Sequence, residues 1–515
     1  MAKVKDLLKN KLTKKELELV PSAFDVVGSI LIFSDFPKEL IKKEKIVANA
    51  FLEQLRNIKT VCKKTGKYSG VYRTPKLKIL AGEKTKETIH KENSISLKLD
   101  VEKVYFSTRS GNERLRISKQ VKEGEDVLVM FSGCAPFPCV IAKNSEPNSI
   151  VGVEINPTAH KYALENIKLN KINNIFLINK DVNKCLPNLY QHIIGLKSAI
   201  YKNELYSRTK YNPLIVELHT FTKDYDKNFK LLKNTIKKLV KQGKYIYLHQ
   251  PMDDKGLYIS NYNIIHPIYN KMISLVDEFN ISLILHINEN KENPNKQNLV
   301  RNIISFKKYY PNIFFEHGAV PYPNKLNQIK EVILKSGLKN LCIDTCHLLH
   351  NYKPSELPKI IKEIKKLCNV YVHLADYKNN SHASPLNKNS YIKLEHVLPL
   401  IDKGIVEIIS ENEKIGKQMI ESWNYLNNFN KTFDRILMPL PRSAEEFLEL
   451  ALTKSKKGTI IHFYDFLNEK DFNLAKEKVA KACKKLGKKF KVLELVKCGH
   501  FGPGVYRVSL DFEVL

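Results

Sequence analysis

An α/β protein is predicted by two interleaved rhythms in this 515-residue chain. The first is strand, small-residue turn, helix, then a strand ending in an acid: Asp126-Val-Leu-Val-Met-Phe131, Ser132-Gly-Cys-Ala-Pro136 and Ile150-Val-Gly-Val-Glu154. That order is the signature of a Rossmann-like half-sheet that holds a nucleotide cofactor. The second is an apolar strand about every 30 residues, each followed by a charged amphipathic helix, as in a (β/α) barrel of the TIM type. The third observation is their order, because roughly 230 residues of the second rhythm separate Ile175-Phe-Leu-Ile178 from Phe433-Asp-Arg-Ile-Leu-Met-Pro-Leu-Pro441, which resumes the first. The barrel is therefore expected as an insertion, which loops with close ends tolerate best, as between consecutive elements of one sheet.

The lead-in is expected to be small α/β modules. Residues 1 to about 20 read as an amphipathic helix, and Phe24-Asp-Val-Val-Gly-Ser-Ile-Leu-Ile-Phe33 as a strand run broken by Gly28. A β-rich, charged stretch follows to about residue 125. Past the insert come Thr459-Ile-Ile-His-Phe-Tyr464, a helix from about 470 to 486, and two further strands, with Cys498-Gly-His-Phe-Gly-Pro-Gly504 as a hairpin loop. The resulting domain plan is 1–70, 71–125, 126–195, a barrel over 196–428, and 429–515.

Composition sets the setting. Hydrophobic residues make up 43% and charged residues 27%, and no apolar run approaches the ~20 residues of a membrane span. The N-terminal residues lack an apolar signal core, so a cytoplasmic location is expected. Lys plus Arg number 85 against 54 acids, a formal charge of +31. Such a field favours a polyanion such as nucleic acid, the competing reading being a Lys-rich surface set by genome composition. Nine cysteines without framework spacing point to reduced thiols, with Cys342 and Cys346 as packing residues.

Within the insert, almost every strand ends in a possible metal ligand. The set is Glu217 and His219, His249, His286, Glu316, Asp344 with His347, His373, and Glu411. Seven strands are clear, and an eighth is expected near 196–206. Because C-terminal strand ends converge in a barrel, these side chains would ring one opening. Imidazole with carboxylate suits zinc, manganese or iron.

The motifs Phe315-Glu-His-Gly318, Ile343-Asp-Thr-Cys-His347 and Val372-His-Leu-Ala-Asp376 resemble the metal strands of the endonuclease IV and xylose isomerase-like barrels across roughly 205–425. The resemblance implies one metal on His249, His286 and Glu316, with Glu316 bridging to a second on Asp344, His373 and Glu411. His347 and His382 would belong to a third position, weakened because Asn380 stands where that family has an Asp.

A second resemblance covers about 20–190 and 431–515. Gly70-Val-Tyr-Arg73, Leu80-Ala-Gly82, Thr88-Ile-His-Lys-Glu92, Tyr105-Phe-Ser107, Glu113-Arg114, Glu154-Ile-Asn-Pro157 and Asn166-Ile-Lys-Leu-Asn170 occur in the order of the archaeal and eukaryal tRNA guanine-37 N1-methyltransferase and wybutosine-enzyme family, which this chain resembles. It implies S-adenosylmethionine (SAM) as cofactor, held by the Phe131 and Gly133 turn, Glu154 and Asp181, and tRNA as partner through the N-terminal module. Arg114 would stabilise charge developing on the guanine oxygen, and Pro439 would lie in the target-base loop. Three departures stand out: Val129 replaces an Asp, Ala135 replaces a glycine, and Pro439-Leu-Pro441 replaces Asn-Leu-Pro.

The expected function is thus SAM-dependent methyl transfer to a guanine-type base in tRNA, with a metal-dependent barrel site. One alternative gives the main activity to the barrel, as a sugar-phosphate isomerase, epimerase or phosphodiesterase on a methyltransferase scaffold. Another is a tRNA-binding protein with both sites degenerate.

Overall fold

The computed structural model describes residues 2–515 apart from 67–69, 202–204, 206–207, 210, 252, 254–258, 260–266, 288–295, 310–312, 319–321, 378–384, 408–412, 441 and 503. It divides into two compact units, one of residues 1–186 with 432–515 and one of 187–431. No helix among the described residues is long and apolar enough to cross a membrane.

The first unit opens with a four-stranded sheet of β1 (Asp25–Val27), β2 (Ile30–Phe33), β3 (Thr60–Lys64) and β4 (Leu77–Gly82). Gly28, at φ +55°, turns β1 into β2, as its place in the apolar run suggested. The expected N-terminal helix is two short ones, Ala2–Leu8 and Lys14–Glu18. Thr13 accepts from the Glu16 amide while the Glu16 carboxylate takes the Thr13 N–H, a capping box that starts a new helix where one was to continue. Their apolar faces join Leu31, Phe33, Phe51 and Val61 in a core of their own.

A hairpin of β5 (Glu87–Glu92) and β6 (Ile95–Asp100) leads to a seven-stranded sheet. Its strands are β7 (Asp126–Val129), β8 (Ser149–Val153) and β9 (Ile175–Ile178) before the barrel, and β18 (Phe433–Met438), β19 (Ser455–Asn468), β20 (Phe490–Gly502) and β21 (Val505–Val514) after it. Their spatial order is β20-β21-β19-β18-β7-β8-β9, so strand order reverses between β7 and β18. Open α/β sheets bind ligands at such a reversal. The strands flanking the insertion are consecutive in the fold but not neighbours: β8 and β7 lie between β9 and β18, three steps of about 4.8 Å. Of the expected hairpin loop, Cys498 to Gly504, the end does hold the β20–β21 turn, whose closing pair is Gly502↔Val505, but Cys498 to Gly502 continue β20, whose register shifts twice there and uses the glycines as bulges.

The second unit is a closed parallel barrel of β10 (Ile194–Ser198), β11 (Ile215–Thr220), β12 (Tyr245–Pro251), β13 (Ser282–His286), β14 (Ile313–Glu316), β15 (Asn340–Asp344), β16 (Asn369–Leu374) and β17 (Gly404–Val406). The eighth strand is β10, which starts at Ile194. Closure needs two glycines. A Cβ on Gly195 would sit 2.0 Å from the Ile215 carbonyl oxygen, and one on Gly404 would sit 2.2 Å from that of Val372.

The chain's single tryptophan, Trp423, is buried in the barrel unit, where its indole N–H donates to the Ile194 carbonyl at 2.7 Å. It reports barrel unfolding without a label. Gly404→Ala is expected to lower the denaturant midpoint read by tryptophan fluorescence, at a cost on the order of 2–3 kcal/mol from overpacking; an unchanged midpoint refutes the close-approach argument. Ala135, at φ +66° in the first unit, tests the opposite sign. Its left-handed backbone costs about 1–2 kcal/mol, less about 0.4–1 for the unfolded-chain entropy glycine adds, so Ala135→Gly should stabilise the first unit by about 0.5–1 kcal/mol in far-UV circular dichroism.

Candidate functional site

The Rossmann-like site is built where β7 and β8 end. Gly133 is held at φ +56°, and a Cβ there would meet nothing nearer than 3.8 Å, which leaves an open cradle. Glu154, one residue past β8, closes over it: Oε2 accepts the Gly133 N–H and Oε1 the Asn156 N–H, both at 2.7 Å. Burial raises the Glu154 pKa against the pull of those backbone donors. The Ser132 hydroxyl is buried beside the turn and, among the described residues, has no hydrogen-bond partner. Nothing in the motif had singled it out.

The remaining predicted residues of this site are placed less simply. Phe131 stands edge-on to Phe447, ring centroids 4.9 Å apart. Asp181 caps the short helix Val182–Cys185 by accepting the Asn183 N–H at 2.9 Å. Pro439 follows β18 in a tight turn, with the Leu440 N–H on the Met438 carbonyl at 2.7 Å, while Pro441 lies outside the described residues. Arg114 is buried and held in place. Its guanidinium makes two bonds to the Glu92 carboxylate, 2.5 and 2.6 Å, and one to the Ser107 carbonyl, and it lies over the Phe106 ring.

The barrel brings its predicted ligands together. His249 donates Nδ1–H to the Gln250 carbonyl, which turns the Nε2 lone pair inward. That Nε2 lies 3.0 Å from His286 Nε2 and 3.3 Å from Glu316 Oε2, and the third side of the triangle, His286 to Glu316, is 3.4 Å. Ligand atoms each ~2.0–2.1 Å from one tetrahedral ion stand about 3.4 Å apart, less at narrower angles. On the other side of Glu316, Oε1 is 3.3 Å from His373 Nδ1, which is 2.9 Å from Glu407 Oε2 and 3.9 Å from Asp344 Oδ2. His373 Nδ1 and Glu407 Oε2, though this close, are not aligned for a hydrogen bond, and both lie within 4.8 Å of the Glu316 and Asp344 oxygens.

Glu407 was missed by the sequence reading, which took Glu411 from the same run. Glu411 and His382 lie outside the described residues. The pairing Leu374↔Val406 fixes Glu407 as the next inward residue, and no periodicity in Val406-Glu-Ile-Ile-Ser-Glu411 chooses between the two acids. His347 sits near the Glu316 side of the cluster, its Nδ1 4.0 Å from Oε1 and 3.0 Å from the His317 carbonyl. His317 itself accepts the Asp344 N–H on Nε2 and gives Nδ1–H to the Gly318 carbonyl, so it is a neutral structural ring, its pKa pushed down to about 4 by burial.

Charge is unbalanced in this interior. Among the described residues, Glu217, Glu316, Asp344 and Glu407 are all buried, with Lys197 as the one buried lysine in contact with them. Burial opposes ionisation of Glu316, but His373, His286 and His249 outweigh it and hold its pKa well below the usual range. Burial likewise opposes charge on His373, yet Cys342, Glu217, Glu316 and Glu407 raise its pKa well above normal. Burial pushes His286 down to about 3. Four carboxylates facing so few cations form a site that a cation would stabilise.

The Arg114 geometry carries its own test. Arg114→Ala leaves the half-buried Glu92 with only His90, 3.5 Å away, and is expected to cost about 2–3 kcal/mol in urea unfolding of the first unit. A loss under 1 kcal/mol would mean that Glu92 finds water.

Residues 88–243 and 403–493 match the TRM5/TYW2 methyltransferase domain, and residues 4–85 match the TYW2 N-terminal domain. Both stretches of the first match run past the structural boundaries at 186 and 432, and residues 244–402, the bulk of the barrel, lie outside both matches. A tRNA (guanine(37)-N(1))-methyltransferase, Trm5b of Pyrococcus abyssi, is 47% identical over 162 residues, 32% of this chain and 48% of that relative. The tRNA(Phe) (4-demethylwyosine(37)-C(7)) aminocarboxypropyltransferase of Methanocaldococcus jannaschii is 43% identical over 139 residues, 25% of this chain and 55% of its own. The crystal structure of the Pyrococcus abyssi Trm5b aligns over 98% of this chain and 78% of that one, at 21% identity and a TM-score of 0.46. The chain spans about half the length of these curated relatives. With the two domain matches set in order along the sequence, residues 4–85, 88–243 and 403–493 of this chain belong to the TRM5/TYW2 methyltransferase family.

Proposed function

We propose that the chain is a SAM-dependent methyltransferase acting on a guanine-type base in tRNA. The observation that carries this reading is the seating of Glu154 on the Gly133 turn at the point where strand order reverses. Glu154 would take the ribose hydroxyls, the open Gly133 turn would admit the methionine part, and the unpartnered Ser132 hydroxyl would meet a polar atom of the cofactor. Asp181, with one oxygen on the helix cap, would keep its other for the adenosine side. When bound, SAM supplies an electrophilic carbon on its sulfonium. The chain's own work is orientation: Pro439 would stiffen the loop facing the base, and Arg114 would act through Glu92 as a positioning residue. The net charge of +31 suits a phosphate backbone.

Incubation with methyl-labelled SAM and a tRNA transcript carrying guanine at position 37 should label the RNA. Glu154→Ala should weaken SAM binding at least tenfold by calorimetry. No SAM binding below millimolar concentration would sink the assignment.

A second reading uses the same site to transfer the aminocarboxypropyl arm of SAM. It is favoured by the TYW2 N-terminal domain match over residues 4–85 and by Pro439 in place of the Asn of the guanine methyltransferases. Carboxyl-labelled SAM separates the two, since only arm transfer moves that label onto tRNA.

We also read the barrel as a divalent-metal centre of zinc, manganese or iron. His249, His286 and Glu316 would hold one ion, and Glu316, Asp344, His373 and Glu407 a second. Ions held there would polarise carbonyl or phosphoryl oxygens and activate water, chemistry common to isomerases, epimerases and phosphodiesterases. Metal analysis after metal-replete expression should find up to two ions per chain, lost in Glu316→Ala. All three metals absent would remove this reading and leave the methyltransferase one standing.

A further inference from the structure

Two of the residues that would touch metal, His373 and Glu407, are tied into a closed ring of contacts by two that would not, Lys197 and Glu217. Lys197 Nζ lies 2.5 Å from Glu407 Oε1 and 3.4 Å from Glu217 Oε1, while Glu217 Oε2 lies 2.9 Å from His373 Nε2. His373 Nδ1 then returns to Glu407 Oε2 at 2.9 Å. All four residues are buried.

Their positions follow from the register. Lys197 and Glu217 are directly paired on β10 and β11, so their side chains share the inner face. Glu407 stands one residue beyond the Leu196↔Val406 and Leu374↔Val406 pairs, level with Lys197 across the seam that closes the barrel. The ring thus spans the four adjacent strands β16, β17, β10 and β11.

Each contact leaves one atom facing the cluster. An imidazole that gives Nε2–H to a carboxylate presents its Nδ1 lone pair, with raised basicity and a fixed ring plane. A carboxylate anchored by one oxygen to an ammonium presents the other. We propose that Glu217 and Lys197 are positioning residues for the second ion of the barrel centre, Glu217 setting the tautomer and plane of His373 and Lys197 setting the rotamer of Glu407. The inference rests on the metal reading above. It also accounts for a lysine in a cation site, because Lys197 lies on the far side of Glu407 from His373 Nδ1, on a different carboxylate oxygen.

The test is Mn²⁺ titration of the full chain, followed by the loss of the free-ion signal in electron paramagnetic resonance. Glu217→Leu and Lys197→Met should each weaken one of the two ions about 10–100-fold and leave the His249–His286–Glu316 ion unchanged. Glu217→Gln, whose carbonyl still accepts Nε2–H, should restore most of the affinity and covers the case in which the leucine variant does not fold. A general loss of barrel packing would weaken both ions together, and that result overturns the proposal, as does wild-type binding in both variants. Should the wild type bind no more Mn²⁺ than Glu316→Ala, the metal reading itself falls and takes this inference with it.

Discussion

The pairing of β18 with β7 is the joint on which the first unit depends. It couples Arg435, Ile436 and Leu437 to Val127, Leu128 and Val129, and Asp434 accepts the Asp126 N–H across 308 residues of sequence. Loop closure over so long a stretch is less costly than it looks, because each doubling of length adds only about 0.6 kcal/mol. A barrel that folds on its own shortens the effective loop further. The joint is reinforced by a buried cation: Arg435 reaches Glu125, the Gln120 carbonyl and His462, and His462 in turn reaches Asp511. Removing any one member would strand a charge in a dry interior, so this network favours one register over its neighbours.

The barrel solves a different problem with the same physics. Parallel strands end together, so side chains far apart in sequence converge at one rim, and here that rim is filled with carboxylates and imidazoles. Glu316 is the pivot, because its two oxygens face separate groups of side chains, His249 and His286 on one and His373 on the other. The apolar floor beneath, where Tyr247 and Tyr371 stack at 4.0 Å, keeps water from screening those charges.

Much of this was legible in the sequence because an apolar run that stops at a His, Asp or Glu marks an inward-facing strand end. His249, His286, Glu316, Asp344 and His373 all read that way, and the structure gathers them. Lys197 did not, since Ile194-Gly-Leu-Lys-Ser198 is short, glycine-containing and ends in the residue type least expected in a core. Glu407 was passed over for Glu411 because the two acids, four residues apart, fall on the same face of a strand, and only cross-strand pairing shows where β17 ends. Arg114 was visible as a motif, but its partner Glu92 lies 22 residues away on a hairpin, and no local pattern foretells that pairing. Glycines misled once, at Gly499 and Gly502, where bulges in a long strand carry the same composition as a turn.

The first and last strands of the barrel, β10 and β17, are hydrogen-bonded neighbours, with Ile194 opposite Gly404. A ring has no natural beginning. Any closed barrel can be opened at any of its connections and present two chain ends side by side, so it can be threaded into a host loop without breaking its own ring. The insertion between β9 and β18 is in that sense a cassette, and its ancestry can differ from that of the sheet that carries it. Phylogenies built from the two segments separately need not share a tree.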